Sequence, residues 1–254
     1  MVKLMSDIMA IIPARSGSKG VVDKNVKLLN GHPLIAYSIR AACLVEGIGR
    51  VVVSTDSEEY ASIVRKYGAE TPFLRPSNLA GDHSTDLEWI DDALEWFKSK
   101  EGFVPRLIVH LRPTTPLRQP AVIGEAINRI ESNSEATALR SVHEMSQPAY
   151  KCFEIEDEYL ACLCTQNRDI ESTSLGRQGF PKTYEPNGYV DVLKTDFILN
   201  YKKIHGARVM AFQTQRVTDV DSPEDFDYLL YQIAQNNDLF KEYYNIEQKH
   251  IFQR

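Results

Sequence analysis

Short apolar runs alternate with amphipathic stretches along the first 140 or so residues of the chain. Ile8-Met9-Ala10-Ile11-Ile12 is apolar at every position and stops at Pro13, the pattern of a strand buried on both faces. Leu34, Ile35, Ile39, Ala42 and Val45 recur at helical spacing and predict a helix over 33–46, with Pro33 in its first turn. Val51-Val52-Val53 predicts a second buried strand, running into Ser54-Thr55-Asp56. Helices follow over 57–67, closed by Gly68, and over 86–100, where Leu87, Ile90, Ala93, Leu94 and Phe97 form the apolar face. A strand at 107–111, a helix at 120–131 and a strand at 136–140 continue the alternation. Strands and helices at this pace imply an α/β fold, with a mostly parallel sheet and helices on both faces.

The rhythm changes near residue 142. Two short β-like pieces, 151–155 and 159–164, precede a polar stretch from 165 to 186 that carries Arg168, Arg177, Gln178 and Lys182. A loop of that length inside a compact domain is usually functional or covered by a partner. The expected organisation is therefore a parent domain over 1–141 and 188–254, with 142–187 as an insertion that packs on a second subunit. Beyond it the pattern predicts a strand at 188–193, a short helix at 195–201, a strand at 207–212 and a helix at 222–236. Ser222 would cap that last helix, with Pro223 at its first position. The aromatic and charged tail from 238 predicts one more helix.

Composition narrows the class. In 254 residues, 43% are hydrophobic and 25% charged, which is ordinary for a globular protein. No apolar stretch reaches membrane-spanning length, and the first ten residues do not read as a signal peptide, so a cytoplasmic protein without a membrane partner is expected. A net charge of −6 argues against general nucleic-acid binding. The cysteines Cys43, Cys152, Cys162 and Cys164 show no C-x-x-C pairing and read as reduced, mostly buried thiols.

Against that acidic background one basic loop stands out. After the first strand comes Ala14-Arg15-Ser16-Gly17-Ser18-Lys19-Gly20, followed by Asp23-Lys24-Asn25. Small residues let backbone N–H groups approach an anion, and Arg15, Lys19 and Lys24 can reach successive phosphates. The loop matches neither a Walker A nor a G-x-G-x-x-G pattern. Its place at the first strand-to-loop junction is where open α/β sheets bind ligands. A second constellation, Asp219-Val220-Asp221, puts two carboxylates two residues apart, able to hold a hard cation such as Mg²⁺. Arg112-Pro113-Thr114-Thr115-Pro116-Leu117-Arg118 forms a rigid loop whose arginines could clamp a carboxylate or phosphate. The loop from Arg75 to Thr85 offers polar groups to a base or ribose.

These motifs, with Arg177-Gln178 and Pro186-Asn187-Gly188, stand in the order that resembles the acylneuraminate cytidylyltransferase (CMP-sialic acid synthetase) family, over about residues 8–235. The resemblance implies a Rossmann-like domain with a small dimerisation insertion, a homodimer or dimer of dimers, and Mg²⁺. It implies transfer from CTP to a nine-carbon 2-keto sugar acid. On it, Arg15, Ser18, Lys19, Lys24 and Asn25 would hold CTP, with Thr85 near the nucleotide. Arg177 and Asn187 would face the sugar acid, Lys151 would reach a neighbouring subunit, and Asp219 and Asp221 would hold the metal. The catalytic set is Arg15, Lys24 and Asp221.

Two positions depart from the family's pattern. Arg112 stands where a glutamine is usual, and Asp191 where a sugar-facing tyrosine is usual, so a legionaminic-type acid is as well supported as sialic acid. The alternatives are an eight-carbon ketodeoxy acid, another nucleotide, or an inactive nucleotide-binding module. No histidine of these loops other than His83 and His110 offers a general base.

Overall fold

The computed structural model describes residues 7–18, 20–164 and 170–235. The chain runs β1 (Ile8–Pro13), β2 (Leu28–Leu29), β3 (His32–Pro33), α1 (Leu34–Cys43), β4 (Arg50–Ser54), α2 (Glu58–Arg65), α3 (Asp86–Trp96), β5 (Leu107–His110), α4 (Pro120–Glu131) and β6 (Ala138–Glu144). It continues with β7 (Phe153–Glu156), β8 (Tyr159–Cys162), β9 (Tyr184–Lys194), α5 (Thr195–Tyr201), β10 (Val209–Gln213) and α6 (Pro223–Gln235). The tail from 238, Arg168 and Lys19 lie outside the described residues.

The central sheet has six strands in the order β10-β6-β9-β5-β1-β4. β1 pairs in parallel with β4 and β5, and β10 in parallel with β6, while β9 runs antiparallel between β5 and β6. The apolar run of β1 serves both faces. Ala10 and Ile12 pack with α1, α2 and α4 on one side, while Met9 and Ile11 pack with α3 and α5 on the other. α6 closes the carboxyl end of the sheet, where Phe226, Leu229 and Ile233 pack on Val21, Leu29 and Val220. The hydrophobic contact thus joins the basic loop to the Asp219–Asp221 segment.

Several boundaries differ from the sequence pattern. β6 extends to Glu144 and β9 begins at Tyr184, so Val142, His143 and Glu144 pair with Pro186, Glu185 and Tyr184 beyond a register shift after Arg140. The polar stretch read as a loop up to 186 therefore ends inside a sheet strand. The chain leaves the sheet only from 145 to 183. Within that excursion lie the β7–β8 hairpin and 3₁₀ turns at Ala149–Lys151, Ile170–Ser174 and Arg177–Gly179. The cysteine reading also needs correcting: all four are free, but only Cys162 is buried, with Cys43 and Cys164 exposed. Cys162 ends β8 and Cys164 lies past it.

Arg118 is likewise not a ligand clamp. Its side chain is fully buried, and it donates to Ser38 Oγ at 2.8 Å, Arg112 O at 2.7 Å, Gly188 O at 2.8 Å, Tyr189 O and Thr115 O. One guanidinium fills its donors with four carbonyls and a hydroxyl, which fixes the Arg112–Arg118 loop against β9. Gly188 completes that junction. It sits at φ +65°, and a Cβ there would meet Thr115 Oγ1 at 3.0 Å and the stem of Arg112 at 3.5 Å.

Candidate active site

β1 delivers the basic loop to the carboxyl edge of the sheet. Ala14 N still bonds Ser54 O at 2.9 Å, and then the chain turns away through Gly17 at φ 69°. Asn25, nearly buried, donates from Nδ2 to Arg15 O at 3.1 Å and ties the loop's return to its start. Arg15 pairs with Asp82 at 2.8 Å. Lys24 Nζ donates to Val220 O at 2.6 Å and faces Asp221 Oδ1 at 3.2 Å. Gly20 allows this approach, because a Cβ there would stand 2.9 Å from the Asp221 carbonyl oxygen. The loop and the acidic segment are thus joined at two points.

Between them lies an open cavity of about 400 Å³, lined by Arg15, Ser18, Lys24, Asn25, Arg75, Ser84, Asp86, Arg112 and Asp221 among others. Its floor is well packed. Arg75 bonds Ser54 through Nε and Nη2 at 3.0 and 2.8 Å, and lies 5.0 Å from the Trp89 ring. Burial pulls Arg75 down to about 10, which leaves it charged at neutral pH. A second cavity of about 710 Å³ opens farther along the same edge, lined by His143, Glu185, Asn187, Arg216 and Asp219 among others. The segment carrying Asp219 and Asp221 borders both cavities, one carboxylate on each. Val220 between them is fully buried, so both aspartates point away from the core.

Arg112 and Asp191, the two positions that depart from the resembled pattern, are partners. Arg112 Nη1 donates to Asp191 Oδ2 at 3.2 Å and Nη2 to Asp86 Oδ2 at 2.7 Å. Asp191 is 2% exposed. It sits mid-sheet on β9, beside His110 on β5 and Arg140 on β6. His110 Nδ1, Arg140 Nε and His205 Nε2 surround it at 4.0, 3.9 and 4.0 Å. Burial and the neighbouring Arg112 push His110 down to about 4, so it is neutral and packs edge-on to Trp89. Only 2% exposed and lining neither cavity, it is no base for the cleft. Burial raises the Asp86 carboxyl, but His110, Arg112 and the hydrogen bond from Trp89 outweigh that and hold it below the usual range.

The sequence-derived residues thus fall into groups. Arg15, Ser18, Lys24, Asn25, Arg112 and Asp221 share the first cavity, and Asn187 and Asp219 the second. Thr85 is exposed, and its hydroxyl is committed to the capping box of α3 with Glu88. Its neighbour Ser84 lines the cleft. Lys151 donates to Leu175 O at 2.8 Å and Arg177 is exposed, both on the 145–183 excursion and lining neither cavity. Asp86 and Trp89 were missed, because in sequence they read only as the first turn and apolar face of α3. Among the described residues, no group of three or more His, Cys, Asp or Glu could hold a metal. No described helix is long and apolar enough to cross a membrane.

A mostly parallel sheet with a cation-bearing small-residue loop at the carboxyl end of β1 defines a nucleotide-binding α/β protein. The family model described as cytidylyltransferase matches residues 9–254, and the chain belongs to that family. It is 32% identical over 237 residues to CMP-N,N'-diacetyllegionaminic acid synthase of Campylobacter jejuni, covering 92% of this chain and 97% of that one. It is 31% identical over 227 residues to N-acylneuraminate cytidylyltransferase of Escherichia coli, covering 89% of this chain but 52% of that longer protein. The fold resembles the solved CMP:2-keto-3-deoxy-manno-octonic acid synthetase, with a TM-score of 0.66 at 16% identity over 90% of this chain and 99% of that one.

Proposed function

We propose that the protein transfers the cytidylyl group of CTP to the anomeric hydroxyl of a nonulosonic acid, giving a CMP-sugar and pyrophosphate. The observation that carries this reading is that Arg15, Lys24 and Asp221 line one cleft, in a chain whose full-length relative is named for CMP-legionaminic acid synthesis. A legionaminic-type acid and sialic acid both fit it, since the relatives named for each match this chain equally well. The hydroxyl oxygen attacks the α-phosphorus, the bond from that phosphorus to the β-phosphate oxygen breaks, pyrophosphate leaves, and the hydroxyl proton passes to water. Positioning and charge stabilisation do the work. Arg15 and Lys24 bind the phosphate oxygens and stabilise the charge that develops on them. Ser18 and Asn25, which line the same cavity, complete the phosphate and base contacts.

The donor set suits Mg²⁺, which takes one or two carboxylates and completes its shell with substrate phosphate oxygens. Asp221, on the wall of the first cavity, would hold it, with Asp219 on the adjoining cavity as the second carboxylate, and when bound it would offset charge on the phosphates during transfer. The second cavity, with Asn187 on its wall, is the place for the sugar acid.

The excursion of 145–183 is proposed to pack on a second copy and to carry Lys151 and Arg177 to the partner's cleft. Its hairpin supports this, since Ile155 and Tyr159 are 76% and 77% exposed and β7 is exposed throughout. Light scattering is expected to give twice the chain mass, and Ile155→Asp to give a monomer with little activity. A monomeric wild type with full turnover would refute the arrangement. Pyrophosphate release measured with each of the four common nucleoside triphosphates and a panel of sugar acids tests the substrate pair. CTP with a nine-carbon acid is expected to dominate.

A further inference from the structure

The segment Ser54-Thr55-Asp56-Ser57 ends β4 and enters α2, and the chemistry above uses none of it. Ser54 holds Arg75, and Ser57 caps α2 by accepting from Tyr60 N at 3.3 Å. Asp56 faces the basic loop. Its Oδ1 accepts from Ser16 N at 2.7 Å and its Oδ2 from Ser16 Oγ at 2.7 Å. Burial raises the Asp56 carboxyl, but the two bonds from Ser16 outweigh it and keep the group ionised at neutral pH. On α2, Tyr60 is 3% exposed and donates its hydroxyl to Asp23 Oδ1 at 2.8 Å. Asp23 holds a left-handed backbone, φ 50°, a conformation aspartate adopts more readily than most residues with a side chain.

The two clamped residues are the immediate neighbours of the two cations: Ser16 follows Arg15, and Asp23 precedes Lys24. One rigid unit, β4 with the start of α2, thus fixes the backbone at both cation-bearing ends of the loop. A carboxylate beside a site for a polyanion repels it through space, so Asp56 benefits binding only through geometry.

We propose that Asp56 and Tyr60 are positioning residues that hold Arg15 and Lys24 in their phosphate-binding geometry before the nucleotide arrives. The inference rests on the reading of the cleft as a CTP site. The test is calorimetric titration of CTP into the full chain, with steady-state kinetics alongside. Asp56→Asn replaces an acceptor facing two donors with an amide whose nitrogen can only donate. It is expected to weaken CTP binding about tenfold, while KM for the sugar acid stays within about twofold. Tyr60→Phe, which keeps the ring, is expected to shift CTP binding the same way by less. Asp56→Asn combined with Ser16→Ala is expected to cost less than the sum of the two, because both break one contact. Unchanged CTP affinity in both Asp56→Asn and Tyr60→Phe, whatever happens to thermal stability, would overturn the proposal. So would equal losses in CTP and sugar-acid KM. If the wild type binds CTP but turns over no sugar acid, the proposed reaction fails while the affinity comparison still decides the clamp.

Discussion

Lys24→Ala is expected to lower kcat/KM for CTP-dependent pyrophosphate release by about a hundred- to a thousand-fold, the usual cost of removing one charged donor aimed at a transferring group. Two losses combine in this variant. The cleft loses a cation that its phosphates need, and the acidic segment loses the ammonium that holds Val220 O and faces Asp221. Lys24→Arg is expected to fall well short of full activity, because a longer, planar guanidinium does not reproduce the compact ammonium that reaches Val220 O and Asp221 Oδ1 from one nitrogen. Steady-state kinetics in which CTP and sugar acid are varied separately would check this. Lys24→Ala within about threefold of wild type would remove Lys24 from the machinery.

The second large effect concerns Arg112. Among the described residues it is the one hydrogen-bond donor to Asp191, which is 2% exposed, the histidines and Arg140 standing at 3.9–4.0 Å. Arg112→Ala leaves that carboxylate buried without a hydrogen bond, with Arg140 still 3.9 Å away, a change that costs about 1–3 kcal/mol. For a chain of this size the melting temperature should fall by about 2 °C or more. Arg112→Ala combined with Asp191→Asn is expected to recover much of the loss, since the buried charge goes with its partner. Thermal unfolding of the single and double variants reads this directly. A double variant no more stable than Arg112→Ala would show that the two act independently. Because Arg112 also lines the cleft, its variants should impair turnover even where stability is restored.

This pair shows where the sequence stopped being legible. Arg112 and Asp191 were each recognisable as unusual, yet 79 residues separate them and no local pattern joins them. Their contact depends on β9 running antiparallel beside β5, a topology that alternating apolar runs do not encode. Asp191 was expected to face a pocket, but a central strand covered on both sides buries it. Arg118 failed for a related reason: in sequence it is one more arginine on a proline-rich loop, and only the carbonyls around it make it structural.

What local chemistry dictates was readable. The helix at 120–131 has the predicted bounds, because Pro120 can open a helix and the apolar spacing carries it to Glu131. The loop after β1 was visible because small residues and cations follow a buried run directly. The strands at either side of the excursion were underestimated because Pro186, Glu185 and Tyr184 look like loop. They are strand only because β6 extends past the sheet body to meet them.

The product is the most direct test of the proposed reaction. Incubating the protein with CTP, Mg²⁺ and N,N'-diacetyllegionaminic acid, then resolving the mixture by mass, should reveal the CMP-sugar and one pyrophosphate for each sugar consumed. CTP left intact with that acid, with sialic acid and with an eight-carbon ketodeoxy acid alike would contradict it.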